Sequence, residues 1–478
     1  MELGVFVIDT QVVAAFFEQS VFAIIVDVLA MGGWLIFFAM LFFAGLTFWT
    51  DYRQGKFTAD WKYRVLAIDI PQENVQTPLA VEQMFAHLAG ALDVPGIKDT
   101  FWDGYKQRYF SFEIVSIEGY IQFVIWTEEA FVDLVEASMY AQYPEAEITE
   151  IEDYVGTIPE SYPSESHEVW LGDFGLSDKF AFPIRSYRDF EHNISKDTVL
   201  KDPMGTFLES FSRIGPGEQM WFQILVQPTG NGWKEDVIKE IKKLIGEKVD
   251  GKKGLLEPLT NNALTKEFFK SLEEVNSQLT GALTGGESPS ESKDDGEKNQ
   301  LRYLTPGQNK ILERMEEKIT KLGFKTKMRA AYIARKEVFN PRRGVNALIG
   351  AINQYNIPSA NSIVPTSTGA STNKKKLVKT NALLKAYKKR KLGTGGNPFI
   401  FNIEELATVW HFPMSHVQTP LVQKAASKTA APPVGLPVES VIAHNVALNV
   451  SDDNTADGSE YTTDSGDVIQ YNDEVDWQ

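Results

Sequence analysis

The sequence predicts an α+β protein with one N-terminal transmembrane helix, two ferredoxin-like (βαββαβ) domains and a disordered acidic tail. Three observations carry that expectation. Residues 28–50 (VLAMGGWLIFFAMLFFAGLTFWT) contain no charge. From residue 58 onward, runs that alternate like strands trade places with runs of helical period. The last 28 residues, 451–478, hold nine Asp or Glu and no base.

Residues 1–27 carry Glu2, Asp9, Glu18 and Asp27 without a Lys or Arg, and form an acidic leader or interfacial helix. As a helix, residues 28–50 rise about 34 Å, enough for a hydrocarbon core of about 30 Å. Trp49 and Tyr52 sit where interfacial aromatics belong, with Arg53, Lys56, Lys62 and Arg64 beyond them. The acidic leader and bulky flank do not fit a cleaved secretory signal. The basic flank on one side only predicts a single-pass protein of the inner membrane, N-terminus outside and body cytoplasmic.

The first domain, residues 58–156, opens with a strand at 63–70 that Pro71 ends; Thr77-Pro78 then starts a helix bearing Leu79, Met84, Phe85, Leu88 and Leu92. Residues 109–117 and 120–126 alternate and meet at Glu118-Gly119, a hairpin signal. A helix at 128–142 and a strand at 146–151 complete βαββαβ, the split unit that lays two helices on one sheet face. The second domain, 165–370, repeats the order: a strand at 168–174, a helix after Asp202-Pro203, strands at 219–226 and 324–334, a helix after Pro341 and a closing strand at 362–364. A helical insertion, 233–322, interrupts it and contains a Gly-, Ser- and acid-rich linker at 280–300. A basic helix and docking segment, 374–437, precede the disordered acidic tail, 438–478.

The formal charge of -17 describes no actual region, because residues 301–393 hold 21 Lys and Arg against four Glu. With no cysteine, disulfides, zinc-thiolate sites, iron-sulfur clusters and thiol nucleophiles are excluded. Residues 246–253 (GEKVDGKK) miss the phosphate-loop pattern at the last position, where Lys253 replaces the hydroxyl, and they follow a helix rather than a strand. The run 393–396 (GTGG) reads as a turn. His411 and His416 are separated by Pro413 and lack metal-ligand spacing. Ser371 and Lys374 match Ser-x-x-Lys only in a polar loop. Adjacent Glu404 and Glu405 diverge on a helix and form no acid/base pair. No catalytic residue, metal site or cofactor is expected.

The densest charge is Lys374, Lys375, Lys376, Lys379, Lys385, Lys388, Lys389, Arg390 and Lys391, interleaved with Leu377, Leu383, Leu384 and Tyr387. Such a block attracts phosphate, in nucleic acid or anionic headgroups, or is a solvated face or a partner of the acidic tail. A membrane-tethered nucleic-acid-binding protein is therefore one expectation.

Residues 64–90, 110–127, 134–154 and 401–413 (FNIEELATVWHFP), the last followed by 417–437, resemble the membrane-anchored N-terminal region of conjugation- and type IV secretion-like ATPases, of the TraC-like and coupling-protein kind. The likeness is greatest to forms from candidate-phylum bacteria without the motor domain. In fused relatives the last segment precedes a RecA-like motor, whereas here residues 435–437 lead to an acidic tail. The resemblance implies a non-catalytic, homo-oligomeric subunit that contacts membrane lipid and offers a cytoplasmic platform to a separate hexameric ATPase, with DNA as a further partner. Leu406, Val409, Trp410 and Phe412 have the apolar character of a docking segment, or of a last helix packed on its own domain.

Overall fold

The computed structural model describes residues 34–71, 74–192, 199–200, 202–246, 304–366 and 373–415, together with a few short stretches elsewhere. The leader, residues 247–303 with most of the phosphate-loop-like run and the linker, His416, residues 417–437 and nearly all of the acidic tail lie outside the described residues.

Helix α1 (Trp34–Phe57) comes first. The first half follows as β1 (Tyr63–Asp69), α2 (Pro78–Leu88), β2 (Phe110–Ile117), β3 (Tyr120–Glu128), α3 (Val132–Gln142) and β4 (Glu147–Glu150). The second half runs β5 (His167–Leu176), α4 (Pro203–Ser212), β6 (Glu218–Pro228), α5 (Gly232–Leu244), α6 (Pro306–Thr320), β7 (Gly323–Arg335), α7 (Pro341–Asn353) and β8 (Ile363–Thr366). Helix α8 (Asn373–Lys388), β9 (Phe399–Asn402) and α9 (Ile403–Val409) close it.

All nine strands join one antiparallel sheet, in the order β8-β5-β7-β6-β2-β3-β1-β4, with β9 also paired to β7. The expectation of two ferredoxin-like domains behind a membrane helix is corrected on both counts. Within the sheet each half follows the spatial order fourth-first-third-second of its own strands, but the halves are continuous through eight residue pairs between β2 and β6, from Gln219↔Ile117 to Val226↔Phe110. The physical reason is that β2 and β6 would each otherwise end its own sheet with unpaired amides and carbonyls; pairing removes two exposed edges at once.

The expected crossing at 28–50 is corrected. The described helix, α1, has 17 uncharged residues, Trp34–Thr50. Asp51, Arg53 and Lys56 occupy the rest of the helix. Among the described residues, no helix is long and apolar enough to cross a membrane. The single-pass inner-membrane location, with its outside N-terminus, loses the span on which it rested. The end of α1 docks on the body instead: Trp49 Nε1 donates to the Phe101 carbonyl at 2.8 Å, and Gly104 takes φ 73 where a Cβ would lie 2.3 Å from the Arg53 carbonyl carbon.

The alternation of the strands divides two cores. On the front face Phe110, Phe112 and Ile114 of β2 and Met220, Phe222 and Ile224 of β6 meet Phe85 of α2, Met139 of α3, Phe207 of α4 and Leu348 of α7. On the back, Val115, Trp221 and Ile333 meet Leu383, Leu384 and Tyr387 of α8 and Tyr154, Ile158 and Tyr162 of the preceding connection. Because the central strands are covered on both sides, they read as near-continuous apolar runs. The β2–β3 turn takes positive φ at both Glu118 and Gly119, the conformation that suits a two-residue hairpin.

Helix α9 is buried along its whole length and packs on α2. The Trp410 ring, wholly buried, lies edge-on to Phe112 (4.9 Å), Phe123 (5.7 Å) and Phe412 (4.9 Å). Trp410→Ala is expected to cost about 3–5 kcal/mol in urea denaturation; a loss below about 1 kcal/mol would contradict this packing.

Candidate functional site

Each of four adjacent strands places a buried polar residue on its back face at the same level of the sheet, and the register aligns them. Glu113 of β2 pairs with Gln223 of β6, Gln223 with Arg329 of β7, and Arg329 with Asp173 of β5. All four are buried. Gln223 Nε2 donates to Glu113 Oε1 at 2.9 Å, and Ser111 Oγ and Tyr154 OH donate to the same carboxylate at 2.6 and 2.8 Å. Arg329 donates to the carbonyls of Lys391 and Thr394, both at 2.6 Å. Neighbouring Lys327 donates to the carbonyls of Thr394 and Gly396, and Gly396 N returns a bond to Asp173 at 2.6 Å. Burial presses the Lys327 and Arg329 charges toward neutrality while Asp173 opposes it.

Arg390 seals this row. Its guanidinium binds Glu113 at 2.9 and 3.1 Å and Asp153 at 2.6 and 2.9 Å, a fork on each side. Burial opposes its charge, but Glu113 and Asp153 hold its pKa above the ordinary value. Arg390 also takes φ 49 just past the end of α8, a left-handed position usually left to glycine and costing about 1 kcal/mol for other residues. The ion pairs hold it there. Burial, with Glu113 adding, raises the pKa of Tyr154 and Tyr387, so both hydroxyls remain donors.

The nine basic residues of the 374–391 block therefore divide. Arg390 is interior, and Lys388 is half-buried with Nζ on the Ile158 carbonyl at 3.0 Å. Lys374, Lys375, Lys376, Lys379, Lys385, Lys389 and Lys391 face solvent. Leu406, Val409, Trp410 and Phe412 are all buried in the front core, so they hold their segment to its own sheet rather than present it outward.

That segment is also fastened by polar contacts. His411 Nδ1 meets the Ala407 carbonyl at 2.7 Å and Nε2 meets Asp202 Oδ1 at 2.8 Å. The Ala407 carbonyl can only accept, so Nδ1 donates to it. Asp202 caps α4 through Met204 N at 2.7 Å and accepts from Met414 N at 3.0 Å. Burial would raise its pKa, but the His411 charge and these bonds bring it below the ordinary carboxylate value. Glu405 binds buried Lys318 at 2.9 Å; burial lowers the lysine pKa and raises that of the glutamate, each opposed by the other. Glu404 binds Lys321 and Ser186.

Glu404, Glu405 and Lys318 line a polar cleft of about 270 Å³ between α6 and residues 183–189. Within it Arg314 pairs with Asp189, Lys318 with Glu405 and Arg188 with Glu404. Ser186 is bonded to a carboxylate and not to a histidine. Among the described residues no group of three or more His, Asp or Glu could hold a metal ion. Lys374 of the Ser-x-x-Lys match stands exposed on α8, and Ser371 lies outside the described residues. Sequence reasoning missed Glu113, Gln223, Arg329 and Asp173. In β2 the signal was Glu113, a carboxylate between Phe112 and Ile114; Gln223 and Arg329 share their strands with further polar residues.

Arg390→Met, which leaves Glu113 buried and unpaired, is expected to cost about 3–5 kcal/mol. Glu113→Gln with Arg390→Met should lose less than the sum of the two changes in a denaturation double-mutant cycle. Strict additivity would deny the coupling. Asp202 contributes stability above its unfolded pKa of about 3.9, and this is lost as pH falls through the lower folded value. The stability gap between wild type and Asp202→Asn should therefore be widest near neutrality and shrink below about pH 4 in melting curves. A gap that grows with acid would contradict the assignment.

No curated protein matches the chain. The model of one sequence family, a domain of unknown function designated DUF8128, matches residues 106–425, more than half the chain and the stretch that holds the Glu113 row, α8 and the His411 clasp. The chain belongs to the DUF8128 family.

Proposed function

We propose that the protein is a non-catalytic platform subunit of a conjugation- or type IV secretion-like translocation machine, acting in several copies beside a separate hexameric ATPase. The observation that supports this reading best is the position of residues 401–413, the segment that resembles the part preceding a motor in fused relatives. It is clamped between both halves of the sheet: β9 pairs with β7, α9 packs on α2, and His411 reaches the cap of α4. Where it emerges, Asn74 Nδ2 donates to the Pro413 carbonyl at 3.1 Å, and Ser415 N donates to the Asn74 carbonyl at 2.8 Å. A motor engaged at this exit would be held in fixed orientation to a nine-stranded base, with little freedom for the joint to absorb its stroke.

The test is affinity isolation of the assembly from its native cells with cross-linking mass spectrometry. The expected result is a Walker-motif ATPase cross-linked near residues 70–76 and 413–415. An intact assembly without such an ATPase, or one that contacts it only elsewhere, would defeat the proposal.

A further inference from the structure

We propose that the solvent face of α8 binds the phosphate backbone of duplex DNA without regard to sequence, an activity that stands apart from the platform reading. Lys374, Lys375, Lys376, Lys379, Lys385 and Lys389 face outward. No Asp or Glu lies between residues 373 and 391. Lys375 with Lys379, and Lys385 with Lys389, are like-charged neighbours one helical turn apart, which disfavours the helix by a few tenths of a kcal/mol each. The helix persists because its other face is committed: Leu383, Leu384 and Tyr387 are buried on the sheet and Arg390 locks its end. The fold thus sustains repulsion along a rail that runs about 21 Å from Lys375 to Lys389.

The surroundings leave much of this charge in place. Asp153 is occupied by Arg390, and Glu160 acts with it on Lys388. Lys375 and Lys379 also make contacts within the protein; a long ammonium side chain exchanges such surface contacts for phosphate at little cost.

Three features choose duplex DNA among polyanions. A helix that binds lipid inserts its apolar face, and here that face is spent on Trp221 and its neighbours. Single strands are held by aromatic platforms that stack bases, and the outward face of α8 has none. Base reading relies chiefly on outward-facing Arg, Asn or Gln; Arg390 is interior, Asn381 is engaged with Tyr162 N and O at 2.8 and 2.7 Å, and only Asn373, at the first position of α8, is exposed. What remains is a row of point charges suited to backbone phosphates, which lie one per ~1.7 Å of duplex axis.

The test is fluorescence anisotropy of the full chain with two unrelated 20-base-pair DNA duplexes across a salt series. Both should bind alike, with Kd of about 1–100 µM near 0.15 M salt and a log-log salt slope of about -4 to -5 for four to six phosphates neutralised. Lys385→Gln and Lys389→Gln should each reduce the slope by about 0.9. Lys375→Gln, Lys379→Gln, Lys385→Gln and Lys389→Gln together should abolish binding while the melting temperature is retained. Absent binding at 50 mM salt, an unchanged slope in these variants, or tighter binding to a single strand, duplex RNA or anionic phosphatidylglycerol vesicles would each overturn the proposal.

Discussion

The Glu113 carboxylate is wholly buried, and the groups that satisfy it come from Ser111 on its own strand and from distant parts of the chain: Tyr154 after the first half, Gln223 in the second and Arg390 beyond both. An ionised carboxylate in such surroundings is tolerable only when paired and fully hydrogen-bonded. Its demands therefore propagate. Moving β6 by one residue against β2 would turn Gln223 to the front core and leave Glu113 against an apolar neighbour. The junction that makes one sheet from two halves is specified here, since apolar packing alone tolerates slippage more readily than a buried ion pair does.

The back-face row fixes register, and the last described segment locks the front. Trp410 fills the space among Phe112 and Phe123, which lie far earlier in the sequence, and its near neighbour Phe412. Glu405 accepts Lys318 from α6, and Glu404 accepts Lys321 just after it. Tyr187 N donates to Thr408 Oγ at 2.9 Å. Residues that would suggest chemistry in isolation, two adjacent glutamates and a histidine, act here as internal fasteners. Their effect is stiffness, because each contact ties a different element to the same short helix.

The elements were legible where one physical signal governed them. The alternation of 110–117 and 120–126, the Glu118-Gly119 turn and the Asp202-Pro203 helix start are local properties, and local sequence carries them. The fusion of β2 to β6 was not legible, because strand pattern states which face is apolar and says nothing about which edge finds a partner. The run at 28–50 misled because apolarity alone does not say where a helix begins or what it packs on, and the end of α1 docks on the body through Trp49. Counting charge treated Lys389 and Arg390 alike, yet one is in solvent and the other is deep in the sheet. Apolarity at Trp410 and Phe412 was likewise silent on whether they pack inward or reach outward. Of the missed row, Glu113 stands out between Phe112 and Ile114, but Gln223 and Arg329 are set among other polar residues, and only the register brings the four into line.

The pairing of β9 with β7 and the burial of α9 on α2 have a consequence for biosynthesis. The front core between α2 and the sheet is incomplete until Trp410 arrives, more than three hundred residues after α2. At elongation rates of about 5–20 residues per second, the β2 edge waits roughly 5–20 seconds for β6 and the apolar groove roughly tens of seconds for Trp410. Such an intermediate exposes both of the features that drive mispairing between chains, so the ribosome-bound protein is a natural client for holding chaperones, and its yield should depend on how quickly the final hundred residues are translated.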